Sequence, residues 1–152
     1  DLKLLIAGRL SWQTGEVKNA HDAAKCKADI HFLGYVEDAL LPKLMGSAFA
    51  LTYVSTFEGF GVPLLEAMRC EIPIITSEQS SMSEVVGEAA ILVNPFLSHQ
   101  ISGAMQQIFN DAKLRQQLIE KGKKQHQNYS WQKATEVIYE ACLKAVEGFP
   151  EA

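Results

Sequence analysis

Glu58 and Glu66 stand on either side of the turn Gly59-Phe60-Gly61, which runs into Pro63 and the apolar pair Leu64-Leu65. Glycines carry no side chain to keep a ligand away from the backbone. Proline suits the first turn of a helix, and the free amides at such an end favour an anion, a phosphate for example. Glu66, one turn into that helix, has the chemistry to accept hydrogen bonds from vicinal hydroxyls, as acidic residues do for ribose. Glu58, held before the turn, can do the same for a sugar or stabilise developing positive charge. The same residues also fit plain strand-to-helix punctuation, since the helix dipole favours glutamates in a first turn anyway. From the turn alone both descriptions stay open.

Other catalytic constellations do not form. His21, His31, His99 and His126 are scattered without HxxxH or Cys/His spacing, so no metal site is expected. The chain has no G-x-S-x-G elbow, no P-loop lysine motif and no Asp-x-Asp pair for a metal–diphosphate. Lys123-Lys124 beside His126 reads as a solvated helix face.

The elements that must position the turn follow from apolar runs and punctuation. Leu2–Ala7, closed by Gly8, has the pattern of a buried parallel strand, and Ile30–Leu33, Ala48–Val54, Ile72–Thr76 and Ala90–Val93 read as four more. Helices are expected over Gln13–Lys27 with Ser11 as cap, over Asp38–Met45 despite Pro42, over Pro63–Arg69 and around Ser83–Val86. Beyond Asn94-Pro95 the pattern is helical only. Ser98 is expected to cap a helix through Phe109, Asp111 one through His126, and Ser130 a third over Trp131–Glu147. That last helix carries Val137, Ile138, Ala141, Cys142 and Ala145 in a helical period. Strands that alternate with helices indicate an α/β fold with a parallel sheet. Ligands of such sheets lie beyond the carboxyl ends of the strands. This puts Gly8–Trp12, Gly34–Val36, Ser55–Gly61 and Ser77–Ser83 on one rim.

With 152 residues, 47% of them apolar and 21% charged, the chain is sized for one soluble domain, expected over residues 1–147 with 148–152 as a tail. A formal charge of -4 gives no reason to expect nucleic acid as a partner. Three cysteines, Cys26, Cys70 and Cys142, fit free thiols in a reducing, cytoplasmic setting better than a disulfide framework. The opening DLKLLIAG reads as a strand and not as a secretory leader, and no run is long enough to span a bilayer. A start at Asp1 without methionine suggests part of a longer chain.

The run from Glu58 to Ala67, EGFGVPLLEA, resembles the E-G-F-G-x-P-x-x-E-A mark of retaining glycosyltransferases of the GT-B fold, glycosyltransferase family 4. The resemblance extends to Phe32-Leu33-Gly34-Tyr35-Val36 and to Glu71-Ile72-Pro73-Ile74-Ile75, where Glu71 replaces the usual glycine. It also takes in Ser80-Ser81-Met82-Ser83-Glu84-Val85-Val86-Gly87, with Ser83 in place of proline, and Tyr129-Ser130-Trp131. It implies the Rossmann-like C-terminal half of a GT-B fold, a domain that binds a nucleotide-sugar donor (UDP-, GDP- or ADP-sugar). Glu66 would hold the ribose hydroxyls and Glu58 would lie against the donor sugar as the catalytic-site carboxylate. The amides of Gly59, Phe60 and Gly61 would face the sugar and diphosphate, with Val62 and Leu65 alongside, and Tyr35 and Val36 would flank the base. No bound metal or other cofactor is implied. The acceptor, a sugar, polysaccharide or lipid-linked glycan, would be held by an N-terminal domain. The full-length hexosyltransferase would be cytoplasmic or peripheral at the inner membrane, and this piece by itself inactive. A GT-B nucleotide-sugar epimerase, or a non-catalytic domain that binds nucleotide or a protein partner, is the alternative.

The family's donor domain opens on a strand that ends in glycine–arginine, followed by a lysine, and Gly8-Arg9 with Lys18-Asn19 invites that match. Only one helix separates Gly8 from the strand at Ile30, where the family has a further strand and helix. Leu2–Ala7 therefore corresponds to the second strand, and Arg9 is not the expected phosphate ligand. A doubly wound order without its first strand must close the second strand onto the fourth or expose edges, and exposed edges would favour a dimer.

Overall fold

The computed structural model describes residues 2–8 and 15–147. Along the chain these form β1 (Leu4–Ala7), α1 (Gly15–Ala23), a 3₁₀ turn (Lys27–Asp29), β2 (Ile30–Gly34), α2 (Leu41–Ser47), β3 (Leu51–Tyr53) and α3 (Val62–Arg69). There follow β4 (Ile74–Ser77), α4 (Met82–Val86), β5 (Ala90–Val93), α5 (Ser98–Asn110), α6 (Ala112–His126) and α7 (Trp131–Glu147). The alternation of strands and helices, all strand pairs parallel, is the α/β class that the apolar runs predict. The chain divides into two compact units, Asp1–Leu44 and Met45–Ala152.

In the first unit β1 pairs with β2, Leu4 opposite Ile30, and the Gly8 amide donates to the Gly34 carbonyl at 2.8 Å where both strands end. Two expectations need correction. The first helix stops at Ala23, because Ala24 and Lys27 bond back three residues and tighten the chain into turns before β2. Its expected cap, Ser11, lies outside the described residues, as does Arg9. β1 is exposed at all four positions, not buried. Among the described residues β2 is its one ladder partner and α1 buries none of its own side chains, so neither face of the run is covered.

The second unit holds the core. β4 lies between β3 and β5, and Ile74, Ile75, Thr76 and Ser77 are each at most 1% exposed. Successive strand residues point to opposite faces. Ile74 enters a cluster with Leu64, Ala67, Met68, Met82, Val85 and Val86 from α3 and α4, joined at its margin by Leu51 and Tyr53. Ile75 enters a second cluster with Val93, Ala104, Ile108 and Leu118 from α5 and α6. Between α3 and α6, Gly122 lets the helices approach, since a Cβ there would meet Met68 Cγ at 3.4 Å. No ladder joins β1 to β3 among the described residues. The strands form two separate sheets, β1–β2 and β3–β4–β5.

The helix ends are built locally. α3 closes in a Schellman arrangement: the Ile72 amide bonds the Ala67 carbonyl (3.2 Å) and the Glu71 amide that of Met68 (3.1 Å). Glu71 occupies the left-handed position, φ 57°, where glycine is the usual residue. Asp111 caps α6 through the Leu114 amide at 2.8 Å, and Ser130 Oγ accepts from the Lys133 amide at the start of α7, as their spacing predicts. Ser98 does not cap. It is the first residue of α5, the cap position falls to Leu97, and no side chain bonds there. α7 carries its apolar residues in the expected period, yet every position from Trp131 to Val146 is exposed.

Leu64→Ala is expected to lower the unfolding free energy by about 2–5 kcal/mol, because the wholly buried side chain leaves a cavity. Trp131→Ala, at an 87% exposed position, should change it by less than about 0.5 kcal/mol in the same urea titration. Glu71→Gly should raise stability, because it relieves a left-handed penalty of about 1–2 kcal/mol while removing only an exposed ion pair to Lys123. A lowered urea midpoint for Glu71→Gly would overturn that account.

Candidate functional site

The carboxyl ends of β3 and β4 lie side by side, since Tyr53 and Thr76 are register partners. Ser55–Gly61 leaves the first of them and Ser77–Ser83 the second. Side chains sew these two loops together. Thr76 Oγ1 donates to the Tyr53 carbonyl (2.7 Å), and the Ser80 and Ser81 hydroxyls both donate to the Glu58 carbonyl (2.6 and 2.9 Å). The Glu58 amide in turn reaches Ser80 Oγ at 3.4 Å. Ser80 takes a left-handed conformation, φ 60°, directly after the Ser77 hydroxyl accepts the Gln79 amide at 3.1 Å. This tight corner aims both serines at the opposite loop.

Glu58 is therefore fixed through its main chain, and its side chain is fixed as well: the Tyr53 hydroxyl donates to Oε1 at 2.7 Å. Its Oε2 has no partner among the described residues. Past Gly59 and Phe60 the chain turns into α3 at Gly61, whose φ of 90° is left-handed. That conformation favours glycine, and a Cβ there would also crowd Leu64 Cδ1 at 3.0 Å. Pro63 sits in the first turn of α3, as its position after the glycines predicts. The amides of Gly59, Phe60 and Gly61 make no hydrogen bond within the described residues. The Glu66 carboxylate, half-buried on α3, likewise has no partner among them.

Of the other predicted contact residues, Val62 and Phe60 are exposed, and Phe60 meets the Tyr129 ring edge-on at 5.7 Å. Leu65 packs against the α3-side core. Tyr35 and Val36 lie in the turn after β2 in the first unit, Tyr35 exposed and Val36 half-buried. Lys18 lies exposed on α1.

Sequence reasoning missed Tyr53. It was one apolar-run residue among seven, and nothing local says that its hydroxyl meets a carboxylate five residues on. Ser80 and Ser81 were visible as a motif but carried no role. A separate hollow of ≈ 490 Å³ opens near Phe49, Pro73 and Arg115, before the amino ends of β3 and β4. Its Arg115 is committed to the carbonyls of Ile108 and Phe109 and lies over the Phe49 ring at 4.8 Å. The convergent polar groups are at the other end of the strands. Among the described residues no group of three or more potential metal ligands occurs, and no helix is long and apolar enough to cross a membrane.

Burial, and then the hydrogen bond and charge of Glu58, push the Tyr53 phenol from 10.0 up to about 12. The folded state thus holds this proton more tightly than the unfolded chain. The resulting stabilisation is complete below pH 10 and is lost as the pH rises towards about 12. The gap in unfolding midpoint between wild type and Tyr53→Phe should narrow across that window. A gap that stays constant would contradict the raised value.

The sequence profile described as "Glycosyl transferases group 1" matches residues 1–125. The O-antigen chain mannosyltransferase B of Escherichia coli is 33% identical over 132 residues, which cover 87% of this chain and 35% of that protein. The O-antigen chain mannosyltransferase RfbU of Salmonella typhimurium is 34% identical over 92 residues, 60% of this chain and 26% of that protein. The chain thus matches about a quarter to a third of the length of these curated relatives. Among solved structures, Anabaena HepE in complex with UDP superposes with a TM-score of 0.80 at 21% identity, over 94% of this chain and 41% of that one. The C-terminal domain of a group 1 glycosyl transferase, LpcC of Francisella tularensis, gives 0.68 at 25% identity, over 78% and 62%. The parallel sheets and flanking helices match the GT-B fold of the glycosyltransferases among these neighbours. With the profile covering most of its length and its turn and strand order in place, this chain belongs to the group 1 glycosyl transferases.

Proposed function

We propose that residues 1–147 form the donor-binding domain of an enzyme that transfers a hexosyl group, a mannosyl group in the first instance, from a nucleoside diphosphate sugar to a glycan or lipid-linked acceptor with retention of configuration. The observation that carries this reading is the pair Glu58 and Glu66 across an open, glycine-rich helix entry, with Glu58 immobilised by Tyr53, Ser80 and Ser81. The mannosyl assignment is supported by relatives named as mannosyltransferases, and the nucleotide by a fold neighbour solved with UDP.

In this mechanism the Glu66 carboxylate accepts hydrogen bonds from the two ribose hydroxyls, whose donors satisfy its otherwise unpartnered oxygens. The free amides of Gly59, Phe60 and Gly61, at the positive end of α3, face the sugar and its diphosphate. Glu58 Oε2 lies against the donor sugar and stabilises positive charge that develops at the anomeric carbon as the diphosphate departs. Val62 and Leu65 border the donor. An acceptor-binding domain elsewhere in the polypeptide closes on this one, because alignment of donor and acceptor supplies much of the rate. A cytoplasmic setting goes with this reading, since Cys26, Cys70 and Cys142 form no disulfide with one another, as suits a reducing compartment.

Glu66→Ala in the full-length protein should weaken donor binding by about 10- to 100-fold, the worth of charge-assisted hydrogen bonds. Calorimetric titration with GDP-mannose, UDP-glucose and ADP-glucose measures this directly and ranks the donors. Failure of every nucleotide sugar to bind or react would sink the proposal. Unchanged affinity in Glu66→Ala would remove the role given to that residue.

A further inference from the structure

Tyr53 is the last residue of β3, and its carbonyl and its phenol are both engaged in a way that ties Glu58 to the sheet. Its carbonyl accepts the hydroxyl of Thr76, a wholly buried residue of β4, at 2.7 Å. Its ring packs against the α3-side core, which sets the direction of the phenol. The phenol then donates to Glu58 Oε1 at 2.7 Å, with the Ser55 side chain as a further hydrogen-bond neighbour. A phenylalanine would serve the packing equally well, so the hydroxyl is accounted for by its polar partners. A glutamate on a loop has three free side-chain torsions. With Oε1 held from the strand and the main chain held by Ser80 and Ser81, those torsions are fixed and Oε2 alone is left open.

We infer that Tyr53 is a positioning residue: its hydroxyl orients the Glu58 carboxylate so that Oε2 faces the donor sugar. This rests on the reading of Glu58 as the carboxylate against that sugar. Tyr53 touches no reacting atom and acts only through Glu58. Its loss misplaces a group needed as charge develops and leaves the nucleotide contacts at Glu66 and the glycine amides intact. The effect belongs in kcat rather than in donor KM.

The test is a double-mutant cycle in the full-length enzyme, read as GDP release from GDP-mannose by slow transfer to water, which needs no acceptor. UDP-glucose and UDP release are substituted if the donor screen ranks that sugar higher. Tyr53→Phe should lower kcat by about 10- to 100-fold with KM within about 3-fold. In a Glu58→Gln background the same substitution should change kcat by less than about 3-fold, because the pair acts as a unit. A thermal scan of Tyr53→Phe checks that the variant is folded under assay conditions. Two outcomes overturn the inference while the function stands: an unchanged kcat in Tyr53→Phe when Glu58→Gln is impaired, or an equal loss in both backgrounds, the mark of a merely structural role. An unimpaired Glu58→Gln overturns the role of Glu58 and this inference together.

Discussion

The candidate site depends on the burial of β4. Its four residues are closed off on both faces and paired on both edges, so the strand has no freedom to slide or tilt. Everything polar at the site is referred to its carboxyl end. Thr76 holds the end of β3, Ser77 shapes the corner after β4, and the two serines beyond that corner seize Glu58 from 22 and 23 residues away. Packing in an apolar interior thereby becomes positional accuracy in a polar loop, and a carboxylate needs such accuracy if it is to meet charge that develops at one atom.

Left-handed residues make the corners that allow it. Gly61 turns the chain into α3 where a side chain would strike Leu64, and Ser80 turns its loop back towards Glu58. Glu71 makes the corner between α3 and the run into β4 without the freedom of glycine, held there by the two hydrogen bonds that close the helix. The strain at Glu71 is tolerated because Ile72 and the strand after it are buried and set the exit direction. Strain at a corner and burial beside it are two parts of one arrangement.

Much of this was legible in the residues. The five strands, the helix entered through glycine and proline, and the caps at Asp111 and Ser130 follow from apolar runs and local hydrogen-bond chemistry, which act over a few residues. Element ends were less legible. The first helix stops four residues early and Ser98 lies inside its helix, because turn geometry decides a boundary and several nearby residues satisfy the same propensity. The exposure of β1 and α7 could not be read either: a pattern shows which face is apolar, not whether another element covers it.

By itself the sequence determined the α/β class, the glycine-rich turn between two glutamates and the family, because periodicity, backbone freedom and motif spacing are properties of neighbouring residues. Only the tertiary structure decided how Glu58 is held. Its partners are a tyrosine on the strand before it and two serines from the next strand's loop, and those groups meet only once β3 and β4 lie in register. Hydrogen bonds reach about 3 Å, whereas the residues that make them here are up to 23 positions apart, so nothing short of the fold could bring them together.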